Sequence, residues 1–185
     1  MIKNYFWNPT PRSKTFHSLK KDIEFLFTKS FPLKRENYLK VKNDTINEIS
    51  VHTPFLSKNR SIKLYPYART ALYVFLKSLN LKEGSEVIIS GAHIPGFLQV
   101  ILELNLIPVV LDIDTVTFCI DAEKLRNAIS AKTKVVIITY LFGYVPDIEK
   151  IFNSIPKGII IVEDISQAIG ASFNGKRLGT FGHVS

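Results

Sequence analysis

The chain has 185 residues, of which 46% are hydrophobic and 22% are charged. This composition excludes an intrinsically disordered protein, and the length suits one domain with an attached segment. The one cysteine, Cys119, excludes an intrachain disulfide and is typical of a reducing compartment. The apolar runs are well short of the about 18 residues that a membrane-spanning helix needs, so we expect a soluble, cytoplasmic protein.

The net charge of +8 belongs to the N-terminal third of the chain. Residues 1–66 contain 13 Lys or Arg and 5 Asp or Glu, whereas residues 67–185 contain 11 of each kind. We therefore expect a basic N-terminal region over 1–66 and a second domain over 67–185. Clustered lysines attract polyanions, anionic membrane surfaces or acidic partners. Nucleic acid is not expected as a partner, because no recognition motif accompanies the lysines.

The basic region contains a predicted amphipathic helix in the sequence SKTFHSLKKDIEFLFTKSF. Such a helix packs on its own domain or on a second subunit more often than on a membrane. Peripheral membrane contact of residues 14–30 is the less favoured alternative. The polar stretch over 34–62 is predicted to be irregular or to form short edge strands. The helical prediction rests on apolar residues that recur at spacings of three and four: Phe16, Leu19, Ile23 and Phe27.

From Tyr67 onward the sequence alternates predicted helices and strands. The helix ARTALYVFLKSLNL is followed by the strand EVIIS, the helix GFLQVILELN and the strand IPVVLDID. The alternation continues with the helix DAEKLRNAIS, which opens on Asp121, the strand KVVIITYLFG, the helix DIEKIFNSI and the strand GIIIVEDIS. Strands that are apolar at nearly every position are typical of a parallel sheet that is covered on both faces. The pattern predicts a doubly wound α/β domain.

Polar and aromatic residues follow the predicted strands at their carboxyl ends, which is where open α/β sheets bind ligands. Before the first helix of the domain, YPYART places Thr70 at a helix N-terminus, where free amides and the helix dipole favour an anion such as phosphate. A plain nucleotide-binding domain is not expected, because neither glycine-rich phosphate motif is present. The strand-end residues are Ser90, His93, Tyr140, Gly143, Glu163, Asp164, Ser166 and Gln167.

Five segments occur in the order ARTAL, EVIISGAHIP, IPVVLDID, TKVVIITYLFG and VEDISQAIGASFNGKRLGTFG. Together they resemble the N-terminal part of the large domain of the pyridoxal-phosphate-dependent sugar aminotransferases of the DegT/DnrJ/StrS family, which have the fold-type I architecture. The last segment is the most specific, because several unrelated constraints coincide in it. The resemblance covers residues 65–185. It implies an incomplete fold-type I large domain with pyridoxal 5′-phosphate as cofactor.

The resemblance also implies roles for five residues. Asp164 would face the pyridine nitrogen of the cofactor and keep it protonated, and His93 would stack on the ring. Gln167 would lie near the cofactor hydroxyl, and Thr70 would bind the phosphate. Arg69 stands where many family members have glycine, so it would either obstruct the approach of the backbone to the phosphate or contact the phosphate itself. No metal site is expected.

The Schiff-base lysine of the family is expected beyond Ser185, shortly after the GxxG segment, so no catalytic residue is assigned in this chain. Lys176 belongs to the turn NGKRLG and is expected to face solvent. The chain is therefore expected to be the N-terminal portion of an aminotransferase and to be inactive alone. The resemblance implies transfer of an amino group from an amino acid to a keto sugar, which would be linked to a nucleotide.

The implied partner is a second copy of the chain, a complementing second half or a full-length homologue. A parallel sheet that is cut partway would also favour self-association through its edge. Two alternatives to the aminotransferase remain. One is a non-catalytic binding or scaffolding protein that docks to a full-length aminotransferase. The other is a sugar dehydratase that uses the same cofactor and has the lysine replaced.

Overall fold

The structure is a computed structural model, and it describes residues 35–52 and 61–185. The predicted helix around Phe16, with the membrane contact considered for residues 14–30, lies outside the described residues. Among the helices of the described residues, none combines the length and the apolar character needed to cross a membrane.

Part of the polar stretch forms a long helix, α1 (Arg35–His52), so the prediction of irregular structure or short edge strands is wrong for these residues, while its part over 53–60 lies outside the described residues. Two hydroxyl side chains donate to backbone carbonyl groups one turn earlier. Thr45 Oγ1 lies 2.8 Å from the Val41 carbonyl oxygen, and Ser50 makes a bond of the same kind. Asn, Ser and Thr have low helix propensity because they compete for backbone hydrogen bonds. That competition is satisfied within the helix here, which a prediction from composition did not anticipate.

Residues 61–185 form an α/β unit on a four-stranded sheet in which every strand pair is parallel. This arrangement confirms the predicted parallel α/β architecture. The strands are β1 (Glu86–Ser90), β2 (Ile107–Leu111), β3 (Thr133–Thr139) and β4 (Ile160–Asp164), and a separate antiparallel hairpin pairs β5 (Ser172–Phe173) with β6 (Lys176–Arg177). The spatial order is β2-β1-β3-β4, so the direction of strand addition reverses between β1 and β3.

The helices of this unit follow the predicted alternation with the strands. Two of them begin at an aspartate whose side chain accepts from free backbone amides, which is the preferred N-cap arrangement. Asp121 Oδ1 lies 2.9 Å from the amide nitrogens of both Glu123 and Lys124, and Asp147 Oδ1 lies 3.0 Å from that of Lys150. The helices are α2 (Ala68–Ser78), α3 (Pro95–Glu103), α4 (Ala122–Ala128) and α5 (Ile148–Asn153), with a 3₁₀ turn at Leu141–Gly143.

Helices cover both faces of the sheet, and successive residues of each strand enter opposite cores. On β3, Val135 and Ile137 pack in the core formed with α2 and α3, whereas Val136 and Ile138 pack in the core formed with α4 and α5. Full burial of one such aliphatic side chain contributes about 1.5–3 kcal/mol. Because both faces are buried, the strands show no alternation of polar and apolar residues. The two cores confirm the layered arrangement that the sequence predicts.

Candidate functional site

The carboxyl ends of the four parallel strands lie at one edge of the sheet. Ligands of open α/β sheets bind at this edge, where the direction of strand addition reverses. In this chain the reversal falls between β1 and β3. His93 follows β1, Tyr140 follows β3 and Asp164 ends β4. Residues that are far apart in the sequence therefore reach the edge at which a ligand is expected.

Asp164 lies at a cleft of about 280 Å³ between the end of β4 and the helices α2 and α3. Its side chain is partly buried, and Oδ1 accepts from the backbone amide of Ser166 at 3.1 Å. The other carboxylate oxygen has no hydrogen-bond partner among the described residues. The cleft therefore presents the Asp164 carboxylate against largely apolar walls, with Glu163 also in the lining. Those walls include Ala68, Ala71, Leu72 and Phe75 of α2, Phe97 of α3, and Val184 and Ser185.

His93 lies in the loop after β1 and is partly buried. Both of its ring nitrogens are buried without a hydrogen-bond partner among the described residues. A buried polar atom without a partner costs about 1–3 kcal/mol. Hydrogen bonding within the described part of the chain therefore does not explain why an imidazole stands here.

Arg69 and Thr70 lie in the first turn of α2, whose N-cap residue, Tyr67, provides no side-chain hydrogen bond to the helix. The guanidinium carbon of Arg69 lies 4.3 Å from the centroid of the Tyr67 ring. Both residues line a groove of about 290 Å³ between α2 and α3, and neither belongs to the lining of the Asp164 cleft. A Cβ atom on Gly96 would lie 3.4 Å from Arg69 Cδ, which is van der Waals contact, so α3 packs closely against the arginine at this position.

Gln167 joins the loop after β4 to the loop after β3. Its Oε1 accepts from the backbone amide of Phe142 at 3.0 Å. Phe142 has a φ of 55°, a left-handed conformation that is strained for a bulky side chain. The Phe142 ring meets the Phe118 ring edge to face, with 5.7 Å between centroids. Gln167 therefore helps to hold a strained aromatic loop at the carboxyl edge of the sheet.

Glu163 has a structural role that the sequence analysis did not assign. Neighbouring residues on a strand face opposite sides of the sheet, so Glu163 points away from the face that carries Asp164. Its side chain is only 1% exposed. An acidic residue inside an apolar strand could have indicated a buried carboxylate in the sequence. Its hydrogen-bond partners could not be predicted, because they lie far along the chain. The carboxylate accepts from four donors: the Tyr140 hydroxyl at 2.9 Å, and the amide nitrogens of Gly179 at 2.9 Å, Phe181 at 2.8 Å and Gly182 at 2.5 Å.

The buried thiol of Cys119 and the buried phenol of Tyr140 lead us to expect a loss of stability at alkaline pH. Burial raises the pKa of the Cys119 thiol to about 12. Burial and the adjacent Glu163 carboxylate raise the pKa of the Tyr140 phenol. The native state keeps both groups protonated, whereas the unfolded chain releases their protons near their ordinary pKa values. Their stabilisation is therefore complete below about pH 8.5 and is lost as the pH rises toward the native pKa values.

We expect the free energy of unfolding to fall by about 1.4 kcal/mol per pH unit for each of these groups as it titrates in the unfolded chain. Denaturant unfolding of the parent and of Cys119→Ala, measured at several pH values between about 8 and 11, checks this. The variant should lose the thiol contribution to the slope. Identical slopes for the two proteins would contradict the assignment to Cys119.

A sequence model of the DegT/DnrJ/EryC1/StrS aminotransferase family matches residues 67–185. The chain belongs to this family. The match confirms the resemblance found in the sequence, and it covers the part of the chain that contains the parallel sheet and the Asp164 cleft.

The chain is similar to curated proteins that are named for different compounds. L-glutamine:2-deoxy-scyllo-inosose aminotransferase of Streptomyces kanamyceticus is 33% identical over 115 residues, which are 62% of this chain and 27% of the relative. GDP-perosamine synthase of Vibrio cholerae is 30% identical over 116 residues, which are 62% of this chain and 32% of the relative. The chain spans less than a third of the length of these two relatives.

Solved structures in the family share the fold of this chain. A GDP-4-keto-6-deoxymannose-3-dehydratase with a trapped PLP-glutamate geminal diamine has a TM-score of 0.57 and 30% identity, covering 62% of this chain and 31% of that protein. A Streptococcus pneumoniae protein described as a sugar aminotransferase, in its PLP form, has a TM-score of 0.57 and 30% identity, covering 62% of this chain and 33% of that protein. Both structures support pyridoxal 5′-phosphate as the cofactor of the DegT/DnrJ/EryC1/StrS family.

Within this family domain, Lys176 lies on the hairpin of β5 and β6 and is exposed, as the sequence predicts. The hairpin turns at Asn174 and Gly175, which have φ values of 47° and 77°. Two left-handed residues in sequence are typical of a tight hairpin turn. Lys176 Nζ lies 4.2 Å from the centroid of the Phe181 ring. The lysine is therefore part of a surface turn.

Proposed function

We propose that the protein is a pyridoxal-phosphate-dependent aminotransferase of sugars and that the Asp164 cleft takes the cofactor ring. The observation that carries this proposal is the Asp164 carboxylate at a largely apolar cleft, on the edge of the sheet where ligands of this fold class bind. The family match over residues 67–185 supports the same activity.

The side chains at this edge fit the chemistry of the cofactor. When bound, pyridoxal phosphate supplies an electron-accepting ring for amino-group transfer. Asp164 would hold a proton on the ring nitrogen, because a nearby carboxylate favours the positive charge. The apolar walls of the cleft would exclude water and strengthen that interaction. The unpartnered nitrogens of His93 suit a ring that is held for contact with a ligand.

The remaining assignments concern the phosphate and the cofactor hydroxyl. Thr70 would bind the phosphate at the start of α2, where the helix dipole favours an anion. Arg69 would add positive charge near that turn from its place over the Tyr67 ring. Gln167 would lie near the cofactor hydroxyl while its Oε1 continues to accept the hydrogen bond from the backbone amide of Phe142.

The proposed substrate is a keto sugar, linked to a nucleotide, and the proposed amino donor is an amino acid. The names of the relatives support this, because GDP-perosamine synthase is named for a nucleotide-linked sugar and the scyllo-inosose enzyme is named for L-glutamine. The proposed partner is a second copy, a complementing segment or a full-length homologue. Exposed Ile107 and Val110 on β2, an edge strand of the described sheet, suit such self-association.

A sugar dehydratase is the second candidate, since a dehydratase is among the solved structures that share this fold. The two reactions differ in their products. An aminotransferase places nitrogen on the sugar, whereas a dehydratase removes water from it. Mass spectrometry of the sugar product, with isotope-labelled amino donor, separates the two candidates.

The proposed cleft is tested by narrowing it. Ala71→Leu adds three carbon atoms to the wall, and we expect it to weaken pyridoxal phosphate binding by about tenfold or more, as measured by absorbance and fluorescence titration of the full chain. Val74→Leu is the matched control, because Val74 lies on the same helix, is 41% exposed and does not line the cleft. Equal affinities for Ala71→Leu and the parent would contradict the proposed cleft.

Lys176→Ala should bind the cofactor as the parent does, because the side chain lies on the surface hairpin. Borohydride treatment should leave no cofactor attached to Lys176. A reduced adduct at this lysine, together with turnover, would overturn the proposed arrangement.

A further inference from the structure

The carboxylate of Glu163 fastens a segment that we call the clasp, residues 179–182. Three of its four hydrogen-bond donors are backbone amides of this segment. The fourth donor is the hydroxyl of Tyr140. The partners lie 16 to 23 positions away along the chain, so the side chain joins two strand ends to a distant segment.

The four hydrogen-bond donors around Glu163 require an acceptor at both side-chain oxygens. A carboxylate meets this requirement, whereas the side-chain amide of glutamine does not. Glu163 Oε1 accepts from two backbone amides, and Oε2 accepts from one backbone amide and the Tyr140 hydroxyl. The hydroxyl can rotate to become an acceptor, but a backbone amide only donates. In glutamine, the side-chain NH₂ would therefore oppose at least one backbone amide in either orientation.

The clasp continues directly into a wall of the Asp164 cleft. Beyond it, His183 N donates to the Ile161 carbonyl oxygen at 2.8 Å, and Glu163 N donates to the Val184 carbonyl oxygen at 2.8 Å. Val184 thereby forms a parallel bridge to β4, and it lines the cleft together with Ser185. The same residue, Glu163, thus binds the clasp with its side chain and Val184 with its backbone.

The position of the clasp also depends on a glycine. A Cβ atom on Gly182 would lie 2.9 Å from the carbonyl oxygen of Ile161 and 3.1 Å from Glu163 Cγ. The first distance is shorter than Cβ atoms show against a backbone oxygen, so a side chain here would require the segment to move away from β4, and the second distance is tight. Gly182→Ala is therefore a second way to displace the clasp, and it keeps the negative charge of Glu163.

We infer that Glu163 is a positioning residue, which sets the wall of the Asp164 cleft formed by Val184 and Ser185 by fastening the clasp. The carboxylate acts through its bonds to the clasp, while Glu163 itself also contributes to the lining of the cleft. The consequence for cofactor binding rests on the proposed function, whereas the consequence for the cleft wall does not.

Hydrogen exchange of the full chain tests the effect on the cleft wall. In Glu163→Gln, the amides of Gly182 and Val184 should exchange about tenfold faster or more relative to the amide of Ile88, which is buried on β1 and reports global opening. Tyr140→Phe keeps the three backbone donors and should change this ratio by less than about threefold. If exchange at Gly182 and Val184 in Glu163→Gln rises only in step with Ile88, the inference is wrong.

Cofactor affinity provides a second readout. Glu163→Gln and Gly182→Ala should each weaken pyridoxal phosphate binding by about fivefold or more in the folded fraction. Glu123→Gln should match the parent, because Glu123 is exposed on α4 and does not line the cleft. If the parent binds no pyridoxal phosphate, the proposed function fails and the exchange ratio alone decides the inference. If Glu163→Gln does not fold, Gly182→Ala decides it, and an unchanged exchange ratio at Val184 would overturn it.

Discussion

Glu163→Gln should lower the free energy of unfolding by about 2–5 kcal/mol, although glutamine has nearly the same shape as glutamate. The loss has a specific cause. The carboxylate accepts four hydrogen bonds in a site where the side chain is 1% exposed, and glutamine leaves at least one backbone amide facing another donor. Water cannot readily replace the missing acceptor in a buried site, so most of the desolvation penalty remains.

Urea unfolding with a matched control checks this prediction. Glu123 is an exposed glutamate in the first turn of α4, so Glu123→Gln should cost less than about 1 kcal/mol. Tyr140→Phe should fall between the two, because it removes one of the four donors and leaves the backbone bonds intact. Similar stabilities for Glu163→Gln and Glu123→Gln would contradict the role given to the buried carboxylate.

Asp164→Asn should keep the fold and lower the rate of amino transfer by roughly 100-fold or more. A loss of this size is typical when a side chain that controls a proton in the active site is removed. The amide has the shape of the carboxylate but no negative charge with which to hold a proton on the ring nitrogen. The rate would be measured with the chain complemented in trans by the remaining part of a family relative. Asp164→Glu should recover part of the rate, because it restores the charge at a slightly different position.

Variants of His93 and Lys176 provide comparisons for the rate of the Asp164→Asn protein. His93→Ala should raise the free energy of the transition state by about 0.5–1.5 kcal/mol, because an aromatic contact positions a ring without controlling its charge. Lys176→Ala should leave the rate unchanged. An Asp164→Asn protein that is as active as the parent would show that the strand-end carboxylate is structural, and the proposed function would then lose its main support.

Much of the α/β unit could be predicted because a parallel sheet covered on both faces leaves a clear trace in the sequence. Strands such as β3 are buried on both sides and are therefore apolar at nearly every position. Asp121 and Asp147 mark helix starts because a carboxylate suits the free amides there. The sequence of helix α1 contains no such pattern. Its Asn, Ser and Thr residues resemble a loop in composition, and its hydroxyl groups bond within the helix.

The candidate site could be predicted only in part, for a geometric reason. Asp164 follows an apolar strand, so its arrival at the carboxyl edge needs only the strand and the parallel sheet. The partners of Glu163 depend on how residues 179–182 return beneath β4, and no local pattern specifies that path. The course of Arg69 along Gly96 and Tyr67 depends in the same way on the packing of α3 against α2.

Nitrogen-15 NMR of pyridoxal phosphate labelled at its ring nitrogen, bound to the parent and to Asp164→Asn, addresses the proposed role of Asp164 without requiring turnover. The parent should show the chemical shift of a protonated ring nitrogen at neutral pH, because the carboxylate stabilises the positive charge. Asp164→Asn should shift the signal to that of the unprotonated ring. The same chemical shift in both proteins would show that Asp164 does not face the ring nitrogen.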